Sequence, residues 1–262
     1  MNKWFPILIA GGAGLYFLEQ KGLEAMQKAL TGLQSPPYRV TGEPVTVVIP
    51  TWNEEVALPP LLTSIRNQTY QPIEIILSDW HSDDRTHEVG AEYNAKVVEV
   101  DESGVGPARN FGAKHASSEI VMFSDADCIL QSNLVERLVQ HINDGYVLAH
   151  PRIGHFEGIG WSQGVRWAYW NFVPRWAPSR VAMMKKVDFD AIGGYKNIWR
   201  EDKEIGMNAG VTFGFDRLAY VKDVVCATGM RREKALVSKK VRQVLTPEFP
   251  GVREDKGVMW RA

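Results

Sequence analysis

The sequence predicts an α/β domain built on a mostly parallel sheet with helices on both faces. Three observations carry this. Short runs rich in β-branched residues recur at Val45 to Ile49, Ile73 to Leu77, Val97 to Val100 and Ile120 to Phe123. They begin about every 22 to 28 residues, the rhythm of strand–helix–strand units. The stretches between them carry helical stripes rather than turn clusters, and a strand–helix alternation closes as a parallel sheet covered on both sides.

Each element has a local reason. The first strand is stopped by Pro50, and Leu58, Leu61, Leu62 and Ile65 then form an i, i+3, i+4, i+7 stripe. Thr86 to Asn94 is a shorter helix candidate. Pro107 suits the first position of a helix running to about Ala116. Ser132 or Asn133 is placed to cap a helix carrying Leu134, Val135, Leu138, Val139 and Ile142, which Gly145 ends. After about Tyr146 the rhythm is lost. Trp161, Trp167, Trp170 and Trp176 then fall close together with Tyr169 and Phe172, faces suited to a sugar, a lipid chain or a core.

The N-terminus is different in kind. Trp4 to Leu18 is apolar but contains Pro6, Gly11, Gly12 and Gly14, and it falls short of the roughly 20 residues a spanning helix needs. It reads as a membrane-contacting segment or as a hydrophobic segment packed on protein. Leu23, Met26, Leu30 and Leu33 share a helical face behind it, and Gln34-Ser35-Pro36-Pro37 breaks that helix. The chain thus divides into a hydrophobic helical segment (1–36), two halves of one domain (44–130 and 131–235) and a tail (236–262).

Composition excludes several classes. The net charge is −1, which gives no global attraction to nucleic acid. Only Cys128 and Cys226 are present, so no disulfide framework is indicated and a cytoplasmic location follows, with membrane association only through the N-terminal segment. Neither cysteines nor histidines show paired zinc spacing. Gly104-Val105-Gly106-Pro107-Ala108-Arg109 mimics a dinucleotide fingerprint. Arg109 occupies the third glycine position and Pro107 removes an N–H, so an NAD(P)-dependent oxidoreductase is disfavoured.

In parallel sheets, ligands bind beyond the C-terminal strand ends. Here those ends are acidic: Asp79, Asp83, Asp84, Asp125 and Asp127. Carboxylates at one edge repel a diphosphate unless a cation intervenes. Asp125-Ala126-Asp127 offers hard oxygen ligands for Mn²⁺ or Mg²⁺, an ion usually held by one or two carboxylates plus substrate phosphates.

Four motifs in order complete the reading: VTVVIPTWNEEVALPPLLTSIRNQTY (45–70), IEIILSDWHSDDRT (73–86), GVGPARNFGAKHASSEIVMFSDADC (104–128) and FDAIGGYKNIWREDKEIGMN (189–208). Together they resemble family 2 glycosyltransferases, which have the GT-A fold. The resemblance implies inverting transfer of a sugar from a nucleotide-diphosphate donor, with uracil as the base, to a hydroxyl of a glycan, lipid-linked or protein acceptor. It places Pro50, Thr51, Asn53 and Glu54 near the nucleotide, Asp79 on the base, and Asp84 in the adjoining turn. Arg109 and Ala126 belong with the donor, Asp125 and Asp127 with ribose, metal and diphosphate. Gly193, Gly194 and Tyr195 belong with the acceptor, as do Trp167 and Trp170. Asp202 is the implied base, with Glu201 as its fallback, because a hydroxyl needs a positioned carboxylate to accept its proton. Two departures stand out. Trp80 and His81 replace the usual Asp-Gly of the second motif, and no histidine follows the Glu-Asp pair. Arg231 and Arg232 lie there instead and are candidates for the diphosphate. Those departures also motivate a catalytically degenerate, sugar-nucleotide-binding scaffold as the alternative.

Overall fold

The computed structural model describes residues 24, 27–155, 178, 180–198 and 201–228. The expected membrane-contacting segment, Trp167, Trp170, Arg231 and Arg232 lie outside them. Among the described residues no helix is long and apolar enough to cross a membrane.

The elements run β1 (Val40–Thr51), α1 (Leu58–Arg66), β2 (Tyr70–Asp79), α2 (Thr86–Glu92), β3 (Lys96–Glu99), α3 (Val105–Lys114), β4 (Ile120–Ser124), β5 (Cys128–Leu130), α4 (Leu134–Asn143), β6 (Leu148–His155), β7 (Val181–Lys185), α5 (Lys186–Ala191), α6 (Glu201–Phe213) and β8 (Leu218–Thr228). They form one eight-stranded sheet in the order β3-β2-β1-β4-β7-β6-β8-β5. β1 pairs in parallel with β2 and with β4, and β2 with β3. The chain leaves β1 toward β2 and β3 and returns on its other side at β4. The C-terminal ends of β1 and β4 therefore flank the switch point, the place where open α/β sheets bind their ligands.

The expected strands are all present, and the differences are instructive. The sheet continues after Tyr146 through β6, β7 and β8, where the expected rhythm stops. β7 runs antiparallel to both β4 and β6, so this part of the sheet does not follow the parallel strand–helix–strand spacing of the first four strands. α3 begins at Val105, not Pro107. Pro107 still lies in the first turn, where its missing N–H costs nothing. Asn133 occupies the N-cap of α4 without capping it, and its Oδ1 accepts from Gln131 instead. Near the N-terminus, Ala29 rather than Leu30 or Leu33 is buried, packed with Val225 and Ala227 of β8, while Leu33 is exposed.

The core follows the strand period of two. Val45, Val47 and Ile49 face one layer with Leu58, Leu61 and Leu62 of α1 and Leu134 and Leu138 of α4. Val48 faces the other with Ala113, Phe123, Phe189, Tyr195 and Ile205. Each fully buried leucine contributes about 1.5–3 kcal/mol. These two layers hold the sheet's acidic edge rigid.

Candidate active site

Two clusters occupy that edge. The first joins the loops after β1 and β2. Asp79 is fully buried. Its Oδ1 accepts from Thr51 Oγ1 at 2.8 Å and Ser82 Oγ at 2.6 Å. Its Oδ2 accepts from Ser82 N at 2.8 Å and from His87 Nε2 at 2.8 Å. A carboxylate offers about four acceptor positions, and all four are taken. Asp79 is therefore a brace between the strand ends. Ser82 Oγ also receives the Asn53 N–H at 2.9 Å, and Asn53 Oδ1 receives the Asp83 N–H at 2.9 Å. Glu54 N donates to Thr86 Oγ1, and Asp84 accepts from Thr86 N and from Glu55 N. Asn53, at φ +53°, thus turns the β1 loop onto the β2 loop. Pro50 and Thr51 are buried at the strand end beneath it. Trp52 and Trp80 pack beside this joint with ring centroids 5.4 Å apart.

The second cluster is ionic. Asp125 follows β4 and is nearly buried. Arg109 of α3 donates from Nη2 to Asp125 Oδ1 at 2.6 Å and from Nη1 to Glu201 Oε1 at 2.8 Å. Arg180, just before β7, donates from Nη1 to Asp125 Oδ2 at 2.8 Å. Burial works against charge on Arg109, but Tyr195, Asp125, Glu201 and Asp202 outweigh it and hold the guanidinium charged. Burial opposes charge on Arg180 too, and Asp125 and Asp127 overcome it. Asp127 is half-buried and accepts from Thr228 Oγ1 at 3.1 Å. Ala126 between them is buried.

The Glu201-Asp202 pair opens α6, and Arg109 draws it to the β4 edge. Glu201 is bound into the ion pair. Asp202 keeps a quarter of its side chain exposed, with Lys203 Nζ at 3.5 Å. Next to Glu201 at the start of α6, its charge acts on both Arg109 and Tyr195. Tyr195 itself lies in the core. It packs edge-on against Phe123, and Arg109 stands 4.8 Å above its ring. Gly193 and Gly194 turn the chain after α5 at φ +77° and +69°. Asn110 fixes that turn, donating to Tyr195 O at 2.7 Å and accepting from Tyr195 N at 2.8 Å.

The structure thus brings Arg109, Asp125, Asp127, Glu201 and Asp202 to one edge and turns Asp79 and Tyr195 inward. Sequence reasoning missed Arg180, Asn110, His87 and Ser82. Arg180 carried a signal only for a reader who had recognised Val181–Met184 as a strand beside β4.

The metal expectation can be tested against these contacts. A chelate using both Asp125 and Asp127 is disfavoured, because each Asp125 oxygen already accepts from an arginine whose fixed charge repels a cation. Among the described residues no three Asp, Glu, His or Cys side chains gather as a ligand set. A site of one carboxylate, Asp127, completed by substrate phosphates does fit the donors present.

A family model described as Glycosyl transferase family 2 matches residues 46–206. The chain is 33% identical over 109 residues to the GalNAc(5)-diNAcBac-PP-undecaprenol beta-1,3-glucosyltransferase of Campylobacter jejuni, covering 39% of this chain and 35% of that one. It is 38% identical over 108 residues to the 4,4'-diaponeurosporenoate glycosyltransferase of Staphylococcus haemolyticus, covering 38% of this chain and 28% of that one. The chain therefore spans well under half the length of these relatives. Among solved structures it is similar to glucosyl-3-phosphoglycerate synthase from Mycobacterium tuberculosis, described in complex with Mn²⁺, UDP-glucose and phosphoglyceric acid. The TM-score is 0.54 at 19% identity, over 71% of this chain and 72% of that one. That likeness shows the shared GT-A fold.

Proposed function

The chain belongs to glycosyl transferase family 2, and on that premise we propose that it transfers a sugar from a UDP-sugar to an acceptor hydroxyl with inversion. One observation carries the reading. Arg109 ties the edge of β4, through Asp125, to the carboxylate pair that opens α6. A donor-side acid and an acceptor-side acid thus share one rigid ionic joint.

In this reading Asp202 accepts the acceptor's proton as its oxygen attacks the anomeric carbon. The bond to the diphosphate breaks on the opposite face, through an oxocarbenium-like transition state. Asp127 would hold Mn²⁺ or Mg²⁺, which when bound offsets charge on the departing diphosphate. The rigid cluster positions both reactants and so lowers the entropic part of the barrier. Thr51, Asn53 and Glu54 form the floor and turn that receive the nucleotide, shaped by Asp79 and Asp84. The acceptor is a hydroxyl of a glycan, a lipid-linked sugar or a protein.

A panel of nucleotide sugars with Mn²⁺, read as released nucleoside diphosphate, tests this. Turnover with a UDP-sugar is expected, falling by about 10²–10⁴ in Asp202→Asn. Binding of UDP without turnover of any donor would favour the scaffold alternative.

A further inference from the structure

The Asp-x-Asp edge carries more fixed positive charge than its motif suggests. Arg180 is registered to Asp125 twice. Its carbonyl accepts the Asp125 N–H at 3.1 Å, and its guanidinium donates to Asp125 Oδ2 at 2.8 Å. The first contact continues the β4–β7 ladder beyond Ser124 and Val181, so the sheet itself sets where the guanidinium stands. The side chain is 18% exposed, enough to reach a ligand at this edge yet largely shielded from competing water. Among the described residues its one hydrogen bond goes to Asp125, while a guanidinium carries five N–H donors. Asp127, two residues on, lies within range of its charge.

The electrostatics follow directly. A bare pair of carboxylates would repel a diphosphate and attract a cation first. With Arg109 and Arg180 in place, two positive charges stand against Asp125, Asp127, Glu201 and Asp202, which halves the net negative charge of the edge. Arginine also matches phosphate geometry and keeps its charge under all ordinary conditions.

We propose that Arg180 is a built-in cation of the donor site: it withholds Asp125 from metal coordination and lets a nucleoside diphosphate seat at the Asp125–Asp127 edge with no metal ion already in place. This rests on the donor-site reading above. Arg180 acts in part through Asp125, as a positioning residue, and in part on the diphosphate directly. Two consequences are opposite in sign. Removing it weakens diphosphate binding, and it frees Asp125 Oδ2 to join Asp127 around a divalent ion.

The test titrates the full chain with UDP by calorimetry, once in EDTA and once in MnCl₂, and titrates Mn²⁺ alone by electron paramagnetic resonance. Wild-type affinity for UDP is expected to agree within about threefold between the two conditions, since charge-assisted contacts already stand in the site. Arg180→Ala is expected to lose about tenfold or more in EDTA, the size of one charge-assisted hydrogen bond, and to recover in MnCl₂. The same variant should bind Mn²⁺ more tightly than wild type, a gain that mere structural damage would not produce. Arg180→Lys, which keeps the charge, should fall between the two and carries the comparison if the alanine variant does not fold. Wild-type binding of UDP only with Mn²⁺ would overturn the inference and leave the donor-site reading intact. Equal weakening of Arg180→Ala in both conditions, without tighter Mn²⁺ binding, would overturn it as well. Failure of the wild-type chain to bind UDP in either condition would overturn both.

Discussion

Replacing Arg109 by alanine should test how far one buried cation holds the site together. Its side chain is 4% exposed and bonds Asp125 and Glu201, which are themselves 9% and 16% exposed. Removing one partner of a buried ion pair costs about 3–5 kcal/mol, because the remaining charge stays desolvated. Asp125 keeps Arg180 and Glu201 keeps some solvent, so the lower end applies, about 3 kcal/mol. The lost contact with the Tyr195 ring falls within that figure. Against a total stability of about 5–15 kcal/mol, this is a large fraction. Urea unfolding followed by tryptophan fluorescence should show the midpoint falling by about 1 M or more, for a slope of about 1–3 kcal/mol/M. The physical cause is checked by a second variant. In Arg109→Ala/Glu201→Gln the orphaned Glu201 charge is gone, and about 1–2 kcal/mol should return as the coupling energy between the two sites. A midpoint shift under about 0.3 M in the single variant, a value small against that slope, would refute the reasoning. So would a double variant no more stable than the single one.

Gly194→Ala should cost about 2–3 kcal/mol: its φ of +69° penalises a Cβ, and that Cβ would stand 2.6 Å from Asn110 Oδ1, breaking the Asn110–Tyr195 pair. Gly193→Ala meets nothing within 4 Å, so about 1–2 kcal/mol of backbone strain alone should appear, and thermal melts of the two variants separate the terms. Glu74 supplies a pH prediction. Burial would raise its pKa, but hydrogen bonds from Thr46 and from Ser117 outweigh it and place the folded value below the ordinary 4.5. A depressed carboxylate stabilises the fold above its unfolded pKa, and that share is lost as pH falls through the folded value. The melting temperature of Glu74→Gln should lie below wild type at neutral pH, and the two should converge below pH 4.5. A constant gap across that range would show that ionisation is not the source.

The legible part of the sequence was the part governed by local periodicity. Val45 to Ile49 and Leu58 to Ile65 announced a strand and a helix because each buries one repeating face. β7 was not legible, since Val181–Lys185 adjoins β4 in an antiparallel register that breaks the parallel rhythm of the earlier strands. The site divided along the same line. That Asp79, Asp125 and Asp127 stand at strand ends could be read from the apolar runs before them. What faces those carboxylates could not. Asp79 meets Thr51, Ser82 and His87, and Asp125 meets Arg109 and Arg180, through contacts that span up to 55 residues of sequence. Tyr195, directly after the Gly193–Gly194 turn in its motif, is drawn inward because Phe123 and Phe189 leave an aromatic-lined space beneath Arg109.

The choice between Glu201 and Asp202 as proposed base follows from helix geometry together with charge. Neighbouring residues on an α-helix point about 100° apart, so both cannot face the same partner. Arg109 fixes Glu201 inward at 2.8 Å. Glu201 Oε1 is therefore occupied by a guanidinium and is less open to an incoming hydroxyl. Asp202 makes no ion pair with Arg109 among the described residues; its Oδ1 accepts from Lys203 N at 2.9 Å, and Lys203 Nζ stands 3.5 Å from its Oδ2, with a quarter of the Asp202 side chain in solvent. Glu201 is thus engaged in the ionic joint, which favours Asp202 as the proposed base. The two variants should therefore fail differently. Glu201→Gln should lower the unfolding midpoint and raise KM through a loosened joint, whereas Asp202→Asn should leave the midpoint nearly unchanged and remove turnover. If Glu201→Gln abolished turnover at unchanged stability, the assignment of the two carboxylates would have to be exchanged.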